Sequence, residues 1–470
     1  MLKNKLSSPI KASLWFMIAN FIQSAIGILT TPIFTRILSE QEYGKISIYQ
    51  SWLTLLTVIL TLSIASSTYN KGMIDFKNNI KEYTSSLLIL TTLSTIIFYV
   101  VYRVFQHPIQ QIIQLPPQII DLLFIVILLS PAMSFWTMQE RFNYKYKLCT
   151  VLVIFTAFFN ALLGYIGVCL YPQEKYMSKI IFSSIVPLII NLIIYIYIIF
   201  QGKFKVKIKY WIYAIKFSLP LIPHYISSTI LNQADRIMIA NIIGLDKAGI
   251  YSIGYSAASI MSMIGSAINS SYMPMTLKCM EHRNCEKIKK TSNIIIKLYI
   301  IISILFICAT PEAVYILAPP EYREAIWIIP PVVIGIYFTF IYMLFANIEF
   351  YYKKTTFIML GSLTAALINI FTNLIFINIF GYVAAAYTTL GGYLILAIMH
   401  YLFMKRIQEE EIYDIRYIIK LSLIFVGATF LIMLFFNNLI IRIIIVLVII
   451  IVLMINIKNI KKEINSIIYK

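Results

Sequence analysis

The residues that could carry chemistry are the few polar side chains set inside long apolar stretches. The richest group lies near position 235, where an aspartate and an arginine follow two amides. Polar groups at membrane depth are costly to place, so each is a candidate for substrate binding or ion transfer. The predicted substrate-binding set is Asn20, Gln23, Arg36, His224, Asn232, Asp235 and Arg236. Further polar residues within or at the ends of apolar stretches are Asn160, Asn269, Glu349, Asn369 and Asn373.

An arginine side chain carries a permanent charge that suits phosphate and carboxylate groups. Arg36 and Arg236 are therefore candidate contacts for an anionic part of a substrate, with Asp235 and Asn232 shaping the same surface. The alternative is that Asp235 is a local partner for an arginine. A second alternative places these charges at the outer membrane interface, where a charge costs little.

Two other titratable residues also have two interpretations. His224 is a candidate proton relay, and the alternative is a hydrogen bond between helices. Glu349 is followed by aromatic and basic residues, which is typical of the membrane interface, and the alternative is a carboxylate that binds a coupling ion.

The overall composition is that of an integral membrane protein. The chain has 470 residues, of which 60% are hydrophobic and 13% are charged. A soluble domain is about half apolar and about a quarter charged. The net charge of +19 does not indicate nucleic-acid binding, because the basic residues lie between apolar segments, where they set topology and meet anionic lipid.

Long apolar segments predict an all-α membrane protein of about 14 transmembrane helices, since a spanning helix needs about 20 mostly apolar residues. The short connections predict antiparallel neighbours. The predicted spans are residues 13–35, 46–69, 83–105, 119–139, 148–170, 179–200, 212–234, 248–274, 293–317, 326–349, 355–378, 381–404, 418–436 and 439–457.

The distribution of positive charge predicts the orientation. With the N-terminus inside, 27 of the 39 Lys and Arg residues fall in inside segments, including Lys3, Lys5 and Lys470, and only 6 fall in outside segments. Positive charge is enriched on the cytoplasmic side, so both termini are predicted to be cytoplasmic.

The chain also contains a weak internal repeat. A shift of 205 residues places Gly44 on Gly249 and Ser47 on Ser252. Related halves of this kind are typical of transporters. The predicted organisation is an N-terminal lobe of six helices (1–200), a cytoplasmic linker (201–211), a C-terminal lobe of six helices (212–404), and two additional transmembrane helices with a tail (405–470).

The linker, QGKFKVKIKY at 201–210, alternates lysines with other residues. This pattern suits a strand or an amphipathic segment on anionic headgroups, and a solvated tether is the alternative. No cofactor or metal is predicted. Cys279, His282 and Cys285 lack a fourth ligand. No GxxxxGK[ST] motif is present, so ATP is not expected as the direct fuel. An H⁺ or Na⁺ gradient is one candidate source of energy, and substrate synthesis and removal on opposite faces is the alternative.

Two stretches resemble a known family: TPIFTRILSEQEYG at 31–44 and NQADRIMIANIIGLDKAGIYSIGY at 232–255. They resemble the Wzx-type polysaccharide-unit translocases, which are oligosaccharide flippases of the multidrug/oligosaccharidyl-lipid/polysaccharide exporter superfamily. The resemblance implies two six-helix lobes that form a V around a central cavity. The positions that match the family motifs are Arg36, Gly44, Asp235, Arg236 and Gly249.

The resemblance also implies a substrate and a location. The substrate would be an undecaprenyl-pyrophosphate-linked oligosaccharide, moved from the cytoplasmic to the outer face of the bacterial inner membrane. Its product would be a surface polysaccharide such as the O-antigen of lipopolysaccharide, or a capsule. The implied partners are this substrate, membrane lipids, a polysaccharide polymerase and a chain-length regulator. The chain lacks the midplane arginines of related lipid II flippases, which argues against lipid II as the substrate.

Two other functions remain as alternatives. A cation-coupled multidrug antiporter of the same superfamily would need a buried acidic residue, and Asp235 is the candidate. A membrane glycosyltransferase or polymerase would need a sizeable acidic outer loop, which the sequence does not show. We therefore expect a transporter and not an enzyme.

Overall fold

The computed structural model describes residues 8–408 and 410–468. The chain groups by contacts into two compact units, one ending at Ser252 and the other starting at Ile253. Regular structure in the described part is helical throughout. The predicted lobes are defined by the sequence repeat and not by contacts, so the predicted domain boundaries stay a prediction.

The first unit contains eleven complete α-helices and the first turns of a twelfth among its described residues. They are α1 (Ser8–Ile37), α2 (Glu40–Leu60), α3 (Ile64–Ser67), α4 (Tyr69–Asp75), α5 (Ile80–Val104), α6 (Gln106–Ile113), α7 (Pro117–Phe142), α8 (Tyr146–Leu170), α9 (Lys175–Gln201), α10 (Ile208–Ser218), α11 (Ile222–Ile242) and α12 (Leu245–Glu281).

The second unit contains the remainder of α12 and seven further helices in its described part. They are α13 (Cys285–Cys308), α14 (Thr310–Leu317), α15 (Ile329–Tyr351), α16 (Thr355–Phe380), α17 (Ala384–Ile407), α18 (Ile415–Leu434) and α19 (Leu439–Ile468). Short 3₁₀ segments lie at Lys77–Asn79 and Pro320–Trp327.

Ten of these helices are long and apolar enough to cross a membrane: α1, α5, α7, α8, α9, α13, α15, α16, α17 and α18. The predicted all-helical membrane fold is confirmed. The other predicted spans fall on α2, α10 with α11, α12 and α19. The first three of these carry more polar and small residues, which is why hydropathy alone marks them less strongly.

Three predicted spans are interrupted in the structure, one of them 293–317, where α13 ends at Cys308 and α14 begins at Thr310. The prediction of one continuous helix over 46–69 is wrong, because α2 ends at Leu60 and both Leu62 and Ser63 have positive φ angles, 54° and 48°. Within the predicted span 212–234, α10 ends at Ser218 and α11 begins with Pro223 in its first turn. A proline has no N–H to donate and disfavours the interior of a helix, so Pro220 and Pro223 in the sequence account for this break.

The predicted linker is neither a strand nor a solvated tether. Lys205 and Lys207 both pair with Glu82 of α5, and hydrogen bonding to Glu82 raises the pKa of Lys207. The backbone N–H of Lys207 donates to Ser86 Oγ at 3.1 Å, and Trp211 Nε1 donates to the Ser86 carbonyl at 2.8 Å. These contacts attach the segment to α5 within the first unit.

The two C-terminal helices are integrated into the second unit. Both pack against α13. Arg442 of α19 is buried and makes a bidentate ion pair with Glu312, at 2.6 and 2.7 Å. The same guanidinium donates to the Cys308 carbonyl at 2.7 Å, where α13 ends. Lys3, Lys5 and Lys470 lie outside the described residues, and the predicted orientation stays a prediction.

Candidate functional site

The first unit contains a polar cavity of about 560 Å³, formed by α1, α2, α7, α8 and α9. A smaller compartment of about 230 Å³ shares Asn160, Lys179 and Asn191 with it. Pockets of this size bind small ligands or one part of a larger ligand. The polar lining of the larger cavity consists of amides, hydroxyls and one ammonium group: Gln23, Thr30, Thr31, Tyr43, Ser130, Ser134, Thr156, Asn160, Lys179 and Asn191.

Helical spacing brings these residues to one space. On α1 the lining positions are 23, 26, 27, 30, 31 and 34, which form one stripe of the helix. On α9 the lining positions of the cavity and the adjoining compartment include Lys179, Ser183, Pro187 and Asn191, each four residues from the next. Gly27 has no side chain, and a methyl group there would contact nothing within 4 Å, so the α1 wall is open at this point.

A proline in α9 explains one of the polar contacts in the wall. Pro187 lies inside the helix and has no N–H, so the carbonyl of Ser183 loses its helical donor. The side-chain amide Nδ2 of Asn160 donates to this carbonyl at 3.1 Å. Freed carbonyls in membrane helices need such partners. Asn160 therefore joins α8 to α9 at the position where α9 lacks a bond.

Lys179 is the one charged residue among the described residues that line the two compartments. Its Nζ lies 5.1 Å from the centre of the Phe34 ring, which is within cation–π range. No carboxylate lines either compartment in the described part of the chain. The cavity therefore has a positive charge together with many hydrogen-bonding groups, which suits an anionic, hydroxyl-rich ligand.

The predicted site residues on α1 have different positions. Gln23 lines the cavity. Asn20 and Arg36 are exposed and are not part of its lining, and Arg36 NH1 donates to the Pro32 carbonyl of its own helix at 2.8 Å. A role of Asn20 and Arg36 in substrate binding stays a prediction.

Arg236 is buried on α11 and is held by its own helix. Its NH1 donates to the Asn232 carbonyl at 2.7 Å and to Gln233 Oε1 at 2.9 Å. The same Gln233 oxygen accepts from Ser51 Oγ at 3.2 Å, which links α11 to α2. Arg236 is not among the residues that line the cavity, and its part in substrate binding stays a prediction.

The remaining predicted residues of α11 lie on several sides of the helix. Asp235 is buried and accepts a hydrogen bond from Tyr251 of α12 at 2.6 Å. Asn232 is exposed, and its Nδ2 donates to the Ser228 carbonyl at 2.7 Å. His224 is half-buried beside Tyr225, at 5.5 Å between ring centres. Their part in substrate binding stays a prediction.

The two glycines that the repeat pairs lie against each other. A methyl group on Gly44 would lie 1.8 Å from the Leu245 carbonyl oxygen, and one on Gly249 would lie 2.3 Å from the Glu40 carbonyl oxygen. Each helix therefore approaches the backbone of the other where only glycine fits. The repeat-related serines, Ser47 and Ser252, hydrogen-bond to each other through their hydroxyls. The starts of α2 and α12 thus form a contact that pairs position i with position i + 205.

The second unit has its own buried polar groups. Asn369 Nδ2 of α16 donates to Thr389 Oγ1 of α17 at 3.2 Å, and Asn373 of α16 bonds with Thr388 of α17. A buried carboxylate, Glu349, lies against His400. The sequence flagged the asparagines and Glu349 as polar groups in spans, but it did not predict their partners.

Sequence reasoning missed Lys179, which was taken as the end of a span. It also missed Asn191, Ser130 and Ser134. One signal could have found Lys179 and Asn191: Lys179, Ser183, Pro187 and Asn191 recur every four residues in an otherwise apolar segment. Such a stripe indicates one polar helix face.

Comparison with known proteins agrees with this architecture. The family described as "Polysaccharide biosynthesis protein" matches residues 10–280. Protein 1 of the Lsg locus of Haemophilus influenzae is 22% identical over 379 residues, which cover 76% of this chain and 88% of that protein.

Solved structures of transporters share the fold. The lipid II flippase MurJ, in an inward closed conformation, matches with a TM-score of 0.66 at 16% identity, over 95% of this chain and 100% of that one. An inward-facing multidrug resistance MATE family transporter of the MOP superfamily matches with a TM-score of 0.56 at 12% identity, over 82% and 94% of the two chains. The MATE transporter VcmN of Vibrio cholerae matches with a TM-score of 0.53 at 11% identity, over 86% and 97%. Identities this low are evidence about the fold alone.

Proposed function

The chain belongs to the polysaccharide biosynthesis protein family and is a multi-pass membrane protein with a transporter fold, and on this premise we propose that it is a flippase for lipid-linked oligosaccharides. The substrate is an oligosaccharide repeat unit on undecaprenyl pyrophosphate. It moves from the cytoplasmic to the outer face of the bacterial inner membrane, where a polymerase and a chain-length regulator build the O-antigen or capsule. The protein itself catalyses no bond change.

The observation that carries this proposal is the polar cavity with Lys179 in a chain of this family. A sugar head cannot cross hydrocarbon unaided, because each unpaired hydroxyl costs several kcal/mol. Amides and hydroxyls along the cavity replace the hydrogen bonds that the sugar makes with water. Lys179 offers a partner for the pyrophosphate or for an acidic sugar, while the lipid tail stays in the bilayer.

Alternating access moves the substrate. In transporters of this kind, the accessible side changes by rocking of helical bundles around the site. An H⁺ or Na⁺ gradient supplies the energy, at about 2.3 kcal/mol for each charge and each 100 mV of membrane potential. Synthesis of the substrate on one face and its removal on the other would drive transport in the same direction.

The decisive experiment is deletion of the gene in its own cell. We expect surface polysaccharide to be lost and the lipid-linked repeat unit to accumulate on the cytoplasmic face, where added enzymes in spheroplasts cannot reach it. Expression of the wild-type chain should restore both. If the unit still reaches the outer face at the normal rate without this protein, the proposal is wrong.

A cation-coupled multidrug antiporter is the second candidate, favoured by the similarity to MATE transporters and by the buried carboxylates Asp235 and Glu349. This function predicts that overexpression lowers drug susceptibility in a strain that lacks its own drug exporters. Lowered susceptibility together with unchanged surface polysaccharide on deletion would favour the antiporter.

A further inference from the structure

The second unit contains a carboxylate and an imidazole that are both fully buried. Glu349 lies near the end of α15 and His400 lies on α17. Their side chains are 0% exposed, and Glu349 Oε1 lies 2.9 Å from His400 Nδ1. The two residues are 51 positions apart in the chain, and the packing of α15 against α17 brings them together.

The surrounding residues form a slot for the imidazole. Tyr342 lies two turns before Glu349 on the same face of α15, with its ring centre 4.8 Å from that of His400. The small Ala346 lies between these two residues on that face. On α16, a methyl group at Gly361 would lie 3.0 Å from His400 Nε2, so the ring edge rests against a helix without a side chain at this point.

Each member of the pair has one polar atom without a hydrogen bond. Among the described residues, neither Glu349 Oε2 nor His400 Nε2 has a partner. Buried polar atoms are nearly always bonded, since an unpaired one destabilises the fold. Apolar residues would therefore stabilise this position better than a half-satisfied pair. A purely structural role does not account for these two residues.

Charge balance fixes the number of protons that the pair can hold. Without a proton the buried pair has a negative charge, and with two protons it has a positive charge. With one proton shared between Oε1 and Nδ1 it is neutral, and only this state avoids a buried net charge.

In the part of the chain that the structure describes, the ion pair of Glu349 is the one with His400. The polar side chains around this part of α15 within the described residues include Asn269 from α12, which accepts from Asn347, Tyr342 from α15 itself, Tyr401 from α17, and Tyr413 from the segment before α18, whose hydroxyl donates to the Leu344 carbonyl.

We propose that Glu349 and His400 form a proton-binding site in the second unit, which holds one proton between the carboxylate and the imidazole in this conformation. Binding transfers a proton from water to the pair, and release returns it to water. Because both side chains are sealed, exchange requires the helices around them to open. Tyr342 and Phe403, the two half-buried aromatic residues against the imidazole, lie where such an opening would first expose the pair. The role of this site in coupling rests on the proposed transport function, in which the proton is the coupling ion.

Proton binding is tested without any substrate. The purified full-length chain is unfolded reversibly in mixed micelles between pH 5 and pH 9. In the unfolded chain, carboxyl and imidazole groups lose their protons near pH 4.3 and pH 6.5. Above about pH 6.5 the unfolded pair therefore holds no proton while the native pair holds one. The native state then binds more protons, so stability falls as the pH rises, and the folded-to-unfolded ratio drops about tenfold per pH unit through this pair.

Glu349→Gln removes the site and keeps the shape of the side chain. We expect this variant to lack the tenfold fall in the folded-to-unfolded ratio per pH unit between about pH 6.5 and pH 8. The matched controls are Glu286→Gln and His282→Gln, an exposed carboxylate and an exposed histidine of the same unit, and both should keep the wild-type fall. Parallel pH profiles of the wild type and Glu349→Gln over this range would overturn the proposal.

His400→Gln provides a second signature should Glu349→Gln fail to fold. Glu349 would then hold the proton alone. In the unfolded chain a glutamate carboxyl loses its proton near pH 4.3, whereas the imidazole of the wild type loses its proton near pH 6.5. The fall in stability should begin about two pH units lower than in the wild type. A profile unchanged from that of the wild type would count against the site.

The coupling role is tested separately in cells. In the deletion strain that carries Glu349→Gln, export should fall and should no longer respond to a protonophore, whereas Glu286→Gln should behave as the wild type. A wild-type response in Glu349→Gln would reject the coupling role. Because the micelle experiment contains no substrate, its outcome and that of the flippase test are independent.

Discussion

At the scale of single residues, the cavity of the first unit depends on two side chains. Lys179 supplies its charge, and Asn160 closes the gap that Pro187 leaves in α9. Lys179 faces the space where a ligand would bind, and Asn160 stabilises the wall of that space. Substitutions at these positions should therefore separate a loss of binding from a loss of stability.

Lys179→Gln should lower export while the protein level in the membrane stays normal. A hydrogen bond to a charged group contributes about 1.5–3 kcal/mol, so the apparent affinity for the lipid-linked unit should fall by about tenfold or more. The measurement is surface polysaccharide in the complemented deletion strain. Lys175→Gln is the matched control on the same helix, since glutamine can still donate to the Ile37 carbonyl that Lys175 contacts at 3.0 Å. Equal export by the two variants would remove Lys179 from the site.

Asn160→Leu should destabilise the first unit by about 1–3 kcal/mol, because it leaves the Ser183 carbonyl without a donor. Pro187→Ala returns an N–H to α9, so the same substitution should cost less in that background. Unfolding of the four proteins of this double-mutant cycle in detergent measures the coupling. Additive effects would mean that Asn160 and Pro187 act independently.

At the scale of helices, the contact between the starts of α2 and α12 depends on glycine and serine. Gly44 and Gly249 let the two backbones approach, and Ser47 and Ser252 bond across the contact. Ser39 and Glu42 form a capping box that begins α2 beside it. Small residues let the two helices approach closely here, and one hydroxyl pair joins them.

Ser47→Cys combined with Ser252→Cys should form a disulfide under mild oxidation, because the two hydroxyl oxygens are in contact. We expect the oxidised protein to stop exporting and a reductant to restore export. Gel mobility and surface polysaccharide are the measurements, and Ser47→Cys alone is the control for the five native cysteines. Full export by the cross-linked protein would show that this contact stays closed throughout the cycle.

Gly44→Ala should prevent the same contact, since its methyl group would overlap the Leu245 carbonyl. We expect the disulfide of the double-cysteine protein to form at least tenfold more slowly in this background. Gly427→Ala is the matched control, because a methyl group there meets nothing within 4 Å. Equal rates of cross-linking in the two backgrounds would contradict the close approach of the helices.

At the scale of the whole molecule, the chain is a multi-pass membrane protein of a polysaccharide biosynthesis family with a transporter fold. Its helices are joined mostly by short connections, and each unit has buried polar pairs, such as Asp235 with Tyr251 in the first and Glu349 with His400 in the second.

The predicted orientation can be measured directly. A reporter fused after Lys470 should be cytoplasmic, so a fluorescent protein should be bright there and alkaline phosphatase inactive. A fusion after Asn438, between α18 and α19, should show the opposite behaviour because this position is predicted to lie on the outside. The same reporter behaviour at both positions would refute the predicted arrangement of the last two helices.

The sequence by itself determined the membrane class, the place of nearly every helix, the break at Pro220 and Pro223, and the repeat that pairs Gly44 with Gly249. These properties follow from local hydropathy, proline chemistry and the repeated pattern. Of the predicted site residues, Gln23 lines the cavity, while Arg236 and Arg36 are not among its lining residues.

Only the tertiary structure decided which polar residues share a space. Lys179 and Asn160 line one cavity because α8 packs on α9, and Glu349 contacts His400 because α15 packs on α17. The physical reason is that lipid tails are as apolar as a helix interface. A membrane helix can therefore be apolar on every face, and its hydropathy does not reveal which face turns toward its neighbours.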